Sequence, residues 1–133
     1  MAEAFARQWL QRHGLQSSYK ILSRALTDEF DPEFSPASGY AVECLREEYA
    51  LDISSHRSRR ICPSEVESAY AIIGVSARHL DILSSMFPLS RKKLFRFSRD
   101  VRDPWRQDIS KYLQCAHELY QLVPEVMEKV TST

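Results

Sequence analysis

Tyr70–Leu83, YAIIGVSARHLDIL, joins two periodicities within a few residues. The stretch begins as a near-continuous apolar run, the pattern of a strand covered on both faces. It then places Leu80 and Leu83, followed by Phe87, at helical spacing. Ser76 stands between the two patterns, where its hydroxyl can cap the helix, and Pro88 stops it. A strand feeding directly into a helix is a βα unit, so the expected class is α/β with a parallel sheet.

The chain repeats that alternation in both directions. Downstream, KLFRFS (93–98) is the next strand candidate, and RDVRDPWRQD (99–108) is a charged loop held by Pro104. The last helix is expected from about Ile109 to Val130, with Ile109, Tyr112, Leu113, Ala116, Leu119, Tyr120, Val123 and Met127 as its apolar stripe. Pro124 lies inside that stripe and is expected to kink the helix or end its regular part. Upstream, Ser64 and Glu67 can form a capping box for a short helix. LDISSHRSRRI (51–61) is a connector carrying Arg57, Arg59 and Arg60. Ser35 and Pro36 resemble the N-cap and first residue of a helix whose inner face carries Val42, Leu45 and Tyr49. TDEFDPEFSPASG (27–39) is a polar loop, and YKILSRAL (19–26) a short strand. At the start, Ala2, Phe5, Ala6, Trp9 and Leu10 form the stripe of a helix that runs to about Arg12 and ends at Gly14. Phe5 and Trp9 are expected in the core. A helix leading straight into the first strand reads as a βα unit without its β, since the first helix of an open α/β sheet normally returns from a preceding strand.

Composition bounds the function classes. The chain has 133 residues, 44% of them hydrophobic and 27% charged, with zero formal net charge. This is ordinary for one globular domain, and nothing in the charge balance points to nucleic acid. No apolar run is long enough for a membrane span, and Glu3, Arg7 and Gln8 interrupt any signal-peptide core. Cys44, Cys62 and Cys115 are sparse and odd in number, the usage of reduced thiols in a cytoplasmic protein, and their spacing suggests neither metal nor cofactor.

Several segments, taken in order, resemble the low-molecular-weight protein tyrosine phosphatases, whose fold is shared with one class of arsenate reductases. MAEAFAR resembles that family's first helix, and SRALT with SPAS its Ser-Ala-Gly-Thr stretch and the following loop. YALDISSHRSRRI is similar to its Gly-Ile-Asp-Leu-Ser-x-His-Arg-Ser-Arg segment, AYAIIGVSARHLDIL to a later strand and helix, and VRDPW to its Asp-Pro-aromatic motif. The resemblance implies a three-layer phosphotyrosine phosphatase I-like fold with a reduced, mostly parallel sheet over residues 1–133. It also implies that the family's first strand and its Cys-x5-Arg phosphate loop are not in this chain.

Roles follow residue by residue from the resemblance. Asp103 matches the family's general acid, and Pro104 and Trp105 the residues lining its substrate cleft. Trp105 serves equally by packing on the last helix. Ser23 matches the serine that supports the phosphate loop; without that loop it is expected to be satisfied locally. His56 occupies a family-like position with no chemistry attached. Arg57, Arg59 and Arg60 with Arg91, Lys92 and Lys93 could form a basic rim, though a solvated charged surface accounts for them as well.

No nucleophile is found. Six positions beyond Cys44, Cys62 and Cys115 stand Ala50, Ser68 and Gln121, never Arg. The expected function is therefore a phosphatase-like protein that is inactive as this chain stands. The alternatives are an N-terminally shortened form of an active phosphotyrosine phosphatase or arsenate reductase, and an oligomeric interaction protein. A phosphorylated protein is the expected partner class. A homo-oligomer, most simply a twofold dimer, is expected because a missing central strand leaves unpaired strand edges.

Overall fold

The computed structural model describes residues 1–26 and 33–132. Five α-helices appear in it: α1 (Ala2–Arg12), α2 (Gly39–Tyr49), α3 (Pro63–Ser68), α4 (Ala77–Met86) and α5 (Ile109–Thr131). Two strands, β1 (Ile72–Gly74) and β2 (Leu94–Arg96), pair in parallel with Ile72 opposite Leu94 and Gly74 opposite Arg96. A 3-10 helix, Pro88–Lys93, separates α4 from β2. Pro88 thus ends the α-helix as expected but starts a tighter turn of helix in its place.

The two faces of the small sheet define three layers. Ile73, Val75 and Phe95 pack on a core built from α1 and α5. Gly74 lies against α4, where an added Cβ would come within 2.9 Å of the Leu80 side chain. The α/β class with a small parallel sheet stands, and among the described residues no helix is long and apolar enough to cross a membrane.

α5 supplies most of the core, and its buried face differs from the expected stripe. Tyr112, Ala116, Leu119, Val123 and Met127 are buried as expected. Leu113 and Tyr120 lie on the surface, and Cys115, Leu122, Val126 and Val130 are buried in addition. The helix runs through Pro124 to Thr131 without a break. Asp108 caps it, accepting from the Lys111 amide at 3.2 Å. On α2 the buried residues are Ala41, Cys44 and Leu45, so Val42 and Tyr49 sit at the edge of the inner face.

α1 buries Phe5, Ala6 and Leu10, while Trp9 is half-buried and stacks on His13 with ring centroids 3.9 Å apart. Gly14 closes the helix at φ +67°, with the Leu15 amide donating to Leu10 O at 2.8 Å and the Gly14 amide to Gln11 O at 3.2 Å. This pair of bonds is the Schellman arrangement, which needs a left-handed residue.

Four local expectations are corrected. Residues 19–24 form no strand; only Ala25 bridges, to Arg60, because an extended segment becomes a strand only against a partner. β1 is shorter than its apolar run, and Ile72, Ile73 and Val75 are only partly buried rather than covered on both faces. The cap of α2 is Ser38, not Ser35, and Pro36 pairs with Arg57 across an antiparallel bridge. α3 starts after Cys62 with Pro63 in its first turn, and Glu65 reaches back to the Cys62 amide at 3.2 Å, the capping role expected one turn-step later from Ser64 and Glu67. Of the polar loop 27–39, residues 27–32 lie outside the described residues.

Gly14→Ala is expected to cost about 1–2 kcal/mol, the penalty for a Cβ in a left-handed conformation. Gly39→Ala, with open space around it, should leave stability within about 0.5 kcal/mol. Urea unfolding of the two variants checks the difference.

Candidate functional site

A cleft of about 490 Å³ opens where the N-terminal end of α1 meets the loop before α5. Glu3, Ala4 and Arg7 of α1 form one wall, and Asp103, Pro104 and Trp105 another. Ser23, the 51–56 connector with His56, the start of α2, and Tyr112 complete it. Ligand sites of open α/β folds lie at the carboxyl ends of the strands. Here β1 leads by way of Val75 to that end, with Val75 O accepting from the Val101 amide at 3.3 Å.

The chain brings together all four residues singled out for the site. Asp103 is exposed at the cleft, its Oδ1 accepting from the Trp105 amide at 3.0 Å. That bond makes an Asx turn, which fixes the carboxylate at the start of the loop. Pro104 is buried beneath it, and Pro104 O accepts from the Gln107 amide at 2.9 Å. Trp105 is half-buried, with the Arg106 guanidinium 4.2 Å from its ring centroid.

Ser23 is not satisfied locally. Its hydroxyl donates to Glu3 Oε1 at 3.0 Å, tying residues 20–24 to α1. Arg7 holds the same junction, 3.4 Å from Glu3 Oε2 and donating to Ile21 O at 3.1 Å. His56, which carried no chemistry in the sequence, faces the same cleft. Burial pushes its imidazole below the ordinary value, and the Glu3 carboxylate pulls the other way. Only the fold joins Glu3, Ser23 and His56, since they are far apart in sequence and no motif links them.

The cleft is acidic. Among the described lining residues Glu3, Asp52 and Asp103 are carboxylates, and Arg7 is the one lysine or arginine. Ser54 holds Asp52 below the usual carboxylate range, its amide donating to Oδ1 at 2.9 Å. None of Arg57, Arg59, Arg60, Arg91, Lys92 or Lys93 lines it. Arg57 donates to Ser54 O and His56 O, and Lys93 to Glu67 O and Ala69 O. The proposed basic rim is therefore not part of this site.

The cysteines lie elsewhere. Burial pushes the Cys115 thiol up to about 11 and raises Cys44 as well, the opposite of what a nucleophilic thiolate needs. Cys62 is half-buried beside a separate hollow of about 240 Å³ with Arg24, Arg59 and Glu65.

The family model described as low molecular weight phosphotyrosine protein phosphatase matches residues 1–133. A protein-arginine-phosphatase of Bacillus subtilis (strain 168) is 26% identical over 137 residues, covering 98% of this chain and 87% of the relative. One of Geobacillus stearothermophilus is also 26% identical, over 76% of this chain and 72% of its own length. The crystal structure of a low molecular weight protein tyrosine phosphatase from T. tengcongensis superposes with a TM-score of 0.85 at 29% identity, covering 96% of this chain and 88% of that one.

His56 should titrate below the usual histidine midpoint, and Glu3→Gln should lower it further. Because the unfolded chain binds this proton more readily, the His56 contribution to stability is complete above about pH 6.5. It is lost as pH falls from there through the lower folded-state midpoint. Histidine ring proton shifts followed against pH measure the midpoint in both proteins.

Proposed function

The chain belongs to the low molecular weight phosphotyrosine protein phosphatase family, and from that premise we propose that its cleft is the proton-transfer and substrate-lining half of a phosphomonoesterase site. The observation that carries this reading is the convergence of Asp103, Trp105, Ser23 and the start of α1 on one opening. In the proposed chemistry a cysteine thiolate attacks phosphorus and the bond from phosphorus to the leaving oxygen breaks. Asp103 gives its proton to that oxygen. Asp103 then takes a proton from water as it attacks the phosphocysteine, releasing inorganic phosphate and the thiolate. Trp105 and Pro104 flank the leaving group, and Ser23 supports the loop that holds the phosphate.

These 133 residues contain no Cys-x5-Arg, and the cleft they form is lined by three carboxylates against the Arg7 guanidinium and the Met1 amino group, whose charged form burial disfavours. A phosphomonoester dianion is repelled by such a surface unless a cationic and N–H-rich cradle faces it. We therefore read the chain, as it stands, as inactive toward phosphomonoesters. The same framework joined to a strand and Cys-x5-Arg loop ahead of Met1 is read as an active phosphatase. Phosphotyrosine is the favoured substrate class. Phosphoarginine is the second, supported by the arginine phosphatases among the relatives; there the bond from phosphorus to nitrogen breaks and the Asp103 proton goes to the departing guanidine nitrogen.

The 133-residue protein should not hydrolyse p-nitrophenyl phosphate above the buffer rate. Fusing a strand and Cys-x5-Arg loop of the family type ahead of Met1 should create turnover, and Asp103→Asn in the fused protein should lower kcat by about 10²–10⁴-fold. Turnover by the unextended protein that is lost in Asp103→Asn would overturn the inactive reading. A folded but inert fused protein would count against the positional match of Asp103, and an active one unchanged by Asp103→Asn would remove Asp103 from the role of acid.

A further inference from the structure

We propose that the corner between α4 and β2, with Leu89 at its tip and Arg91 and Lys92 beside it, docks this protein on an anionic phospholipid surface and turns the cleft away from that surface.

Local chemistry builds the corner. Phe87 precedes a proline and leaves the α region at φ −134°, so α4 gives way to the 3-10 helix Pro88–Lys93. Three residues make one turn of such a helix, and residues three apart share a side. Ser90 and Lys93 take the inner side. Ser90 is buried, and Lys93 Nζ donates to Glu67 O and Ala69 O, each at 2.9 Å. That leaves Leu89 and Lys92 together on the outer side. Leu89 is 99% exposed, the most exposed large apolar side chain among the described residues, and Met86 at the end of α4 is 49% exposed. Arg91 and Lys92 are exposed as well, and neither joins an ion pair among the described residues.

A single exposed leucine is ordinary; its setting gives this one an occupant. Between Asp81 and Asp100 the chain carries Arg91, Lys92, Lys93, Arg96 and Arg99 and no acidic residue. Asp100 is held at the far end of α4, where its Oδ1 accepts from the Ala77 amide at 2.9 Å. From α3, Glu67 meets Lys93 through its main-chain oxygen. The formal net charge is zero, so the acidic excess lies elsewhere, and Glu3, Asp52 and Asp103 line the cleft. β1 and β2 run parallel, β1 leading toward the Asp103 loop, and Lys93 immediately precedes the start of β2. The corner therefore lies at the end of the sheet opposite the cleft. A negative surface attracts one end of the molecule and repels the other.

An apolar side chain flanked by cations is the makeup of an interfacial anchor. The apolar group enters the boundary between headgroups and acyl chains, and the cations meet lipid phosphates. A nucleic acid would neutralise the cations but leave Leu89 and Met86 in water, and the corner shows no exposed aromatic ring on which a base could stack.

The test mixes the 133-residue protein with vesicles of phosphatidylcholine, and with vesicles of equal parts phosphatidylcholine and phosphatidylglycerol, and measures co-sedimentation. Binding is expected only to the anionic vesicles, and about 1 M salt should abolish it. Leu89→Ser, and separately the double variant Arg91→Gln with Lys92→Gln, should each weaken it about tenfold or more. Brominated acyl chains should quench the indole of Leu89→Trp and leave Trp9 and Trp105 of the unaltered protein unquenched. No binding to the anionic vesicles, or equal binding by Leu89→Ser, overturns the proposal. So does quenching of Trp105, which would turn the cleft toward the lipid. Binding to a DNA duplex that the anionic vesicles do not displace would assign the cations to nucleic acid and overturn it too. Leu89, Arg91 and Lys92 lie outside the core and the cleft, so these variants keep the fold, and an inert fused phosphatase leaves the result unaffected.

Discussion

The packing of α1 against α5 is the constraint on which the rest of the structure depends. A sheet of two three-residue strands cannot organise a domain by itself. α5, 23 residues long and about 35 Å from end to end, supplies a continuous apolar face instead. Ala116, Leu119, Leu122, Val123, Val126 and Met127 join Phe5, Ala6 and Leu10 in one cluster, and Leu45 of α2 joins them fully buried. Each large aliphatic side chain removed from water there contributes about 1.5–3 kcal/mol. Those helices hold the sheet in place through Ile73, Val75 and Phe95, rather than the sheet holding them.

That arrangement fixes the cleft, because its walls are the ends of the same elements. The Asp103 loop is anchored just before the acid by Val101, buried at 7% and bonded to Val75 O, and just after it by buried Pro104. α5 then begins under the Asp108 cap. Across the opening, Glu3 and Arg7 stand on α1 and reach Ser23 and Ile21. A shift of α1 along α5 would change the distance between the carboxylate on the loop and the carboxylate on the helix.

The sequence made the helices legible and the sheet less so. α1, α4 and α5 follow the 3.6-residue period, and Gly14 and Ser76 mark the end of α1 and the start of α4 by local chemistry that needs no distant partner. Ser76, for example, accepts from the His79 amide at 3.3 Å as its position predicts. Residues 19–26 carry a good strand composition but form no strand, because strand formation is a property of pairs. Period alone places Val42, Leu45 and Tyr49 on the inner face of α2; Leu45 is fully buried and Tyr49 packs on Phe5 with ring centroids 5.0 Å apart, while the direction from which α5 packs buries Ala41 and Cys44 ahead of Val42. For the site, Asp103, Pro104 and Trp105 are legible through the resemblance of VRDPW to the family's Asp-Pro-aromatic motif, three consecutive residues that an Asx turn holds together. Glu3 and His56 were not visible as partners of Ser23, since α1, residues 20–24 and the connector meet only in three dimensions.

Stability and chemistry are separable in this cleft, and the hydrogen bonds show why. Several carboxylates drawn into one opening repel one another and would weaken the fold if left bare. Here each is met by a donor of this chain: Glu3 by the Ser23 hydroxyl and Arg7, Asp52 by the Ser54 amide, Asp103 by the Trp105 amide. The acidic surface is therefore self-satisfied and asks nothing of a bound ion to remain folded. Asp103, like Asp52, accepts from the amide two residues on in its own loop and lies exposed to whatever enters. Substituting it removes a local turn bond and leaves the α1–α5 core untouched, whereas truncating Leu45 or Leu122 strikes the core and leaves every donor in the cleft in place. A group that stabilises little and faces solvent at the mouth of a built cleft can be changed without disturbing the scaffold that positions it.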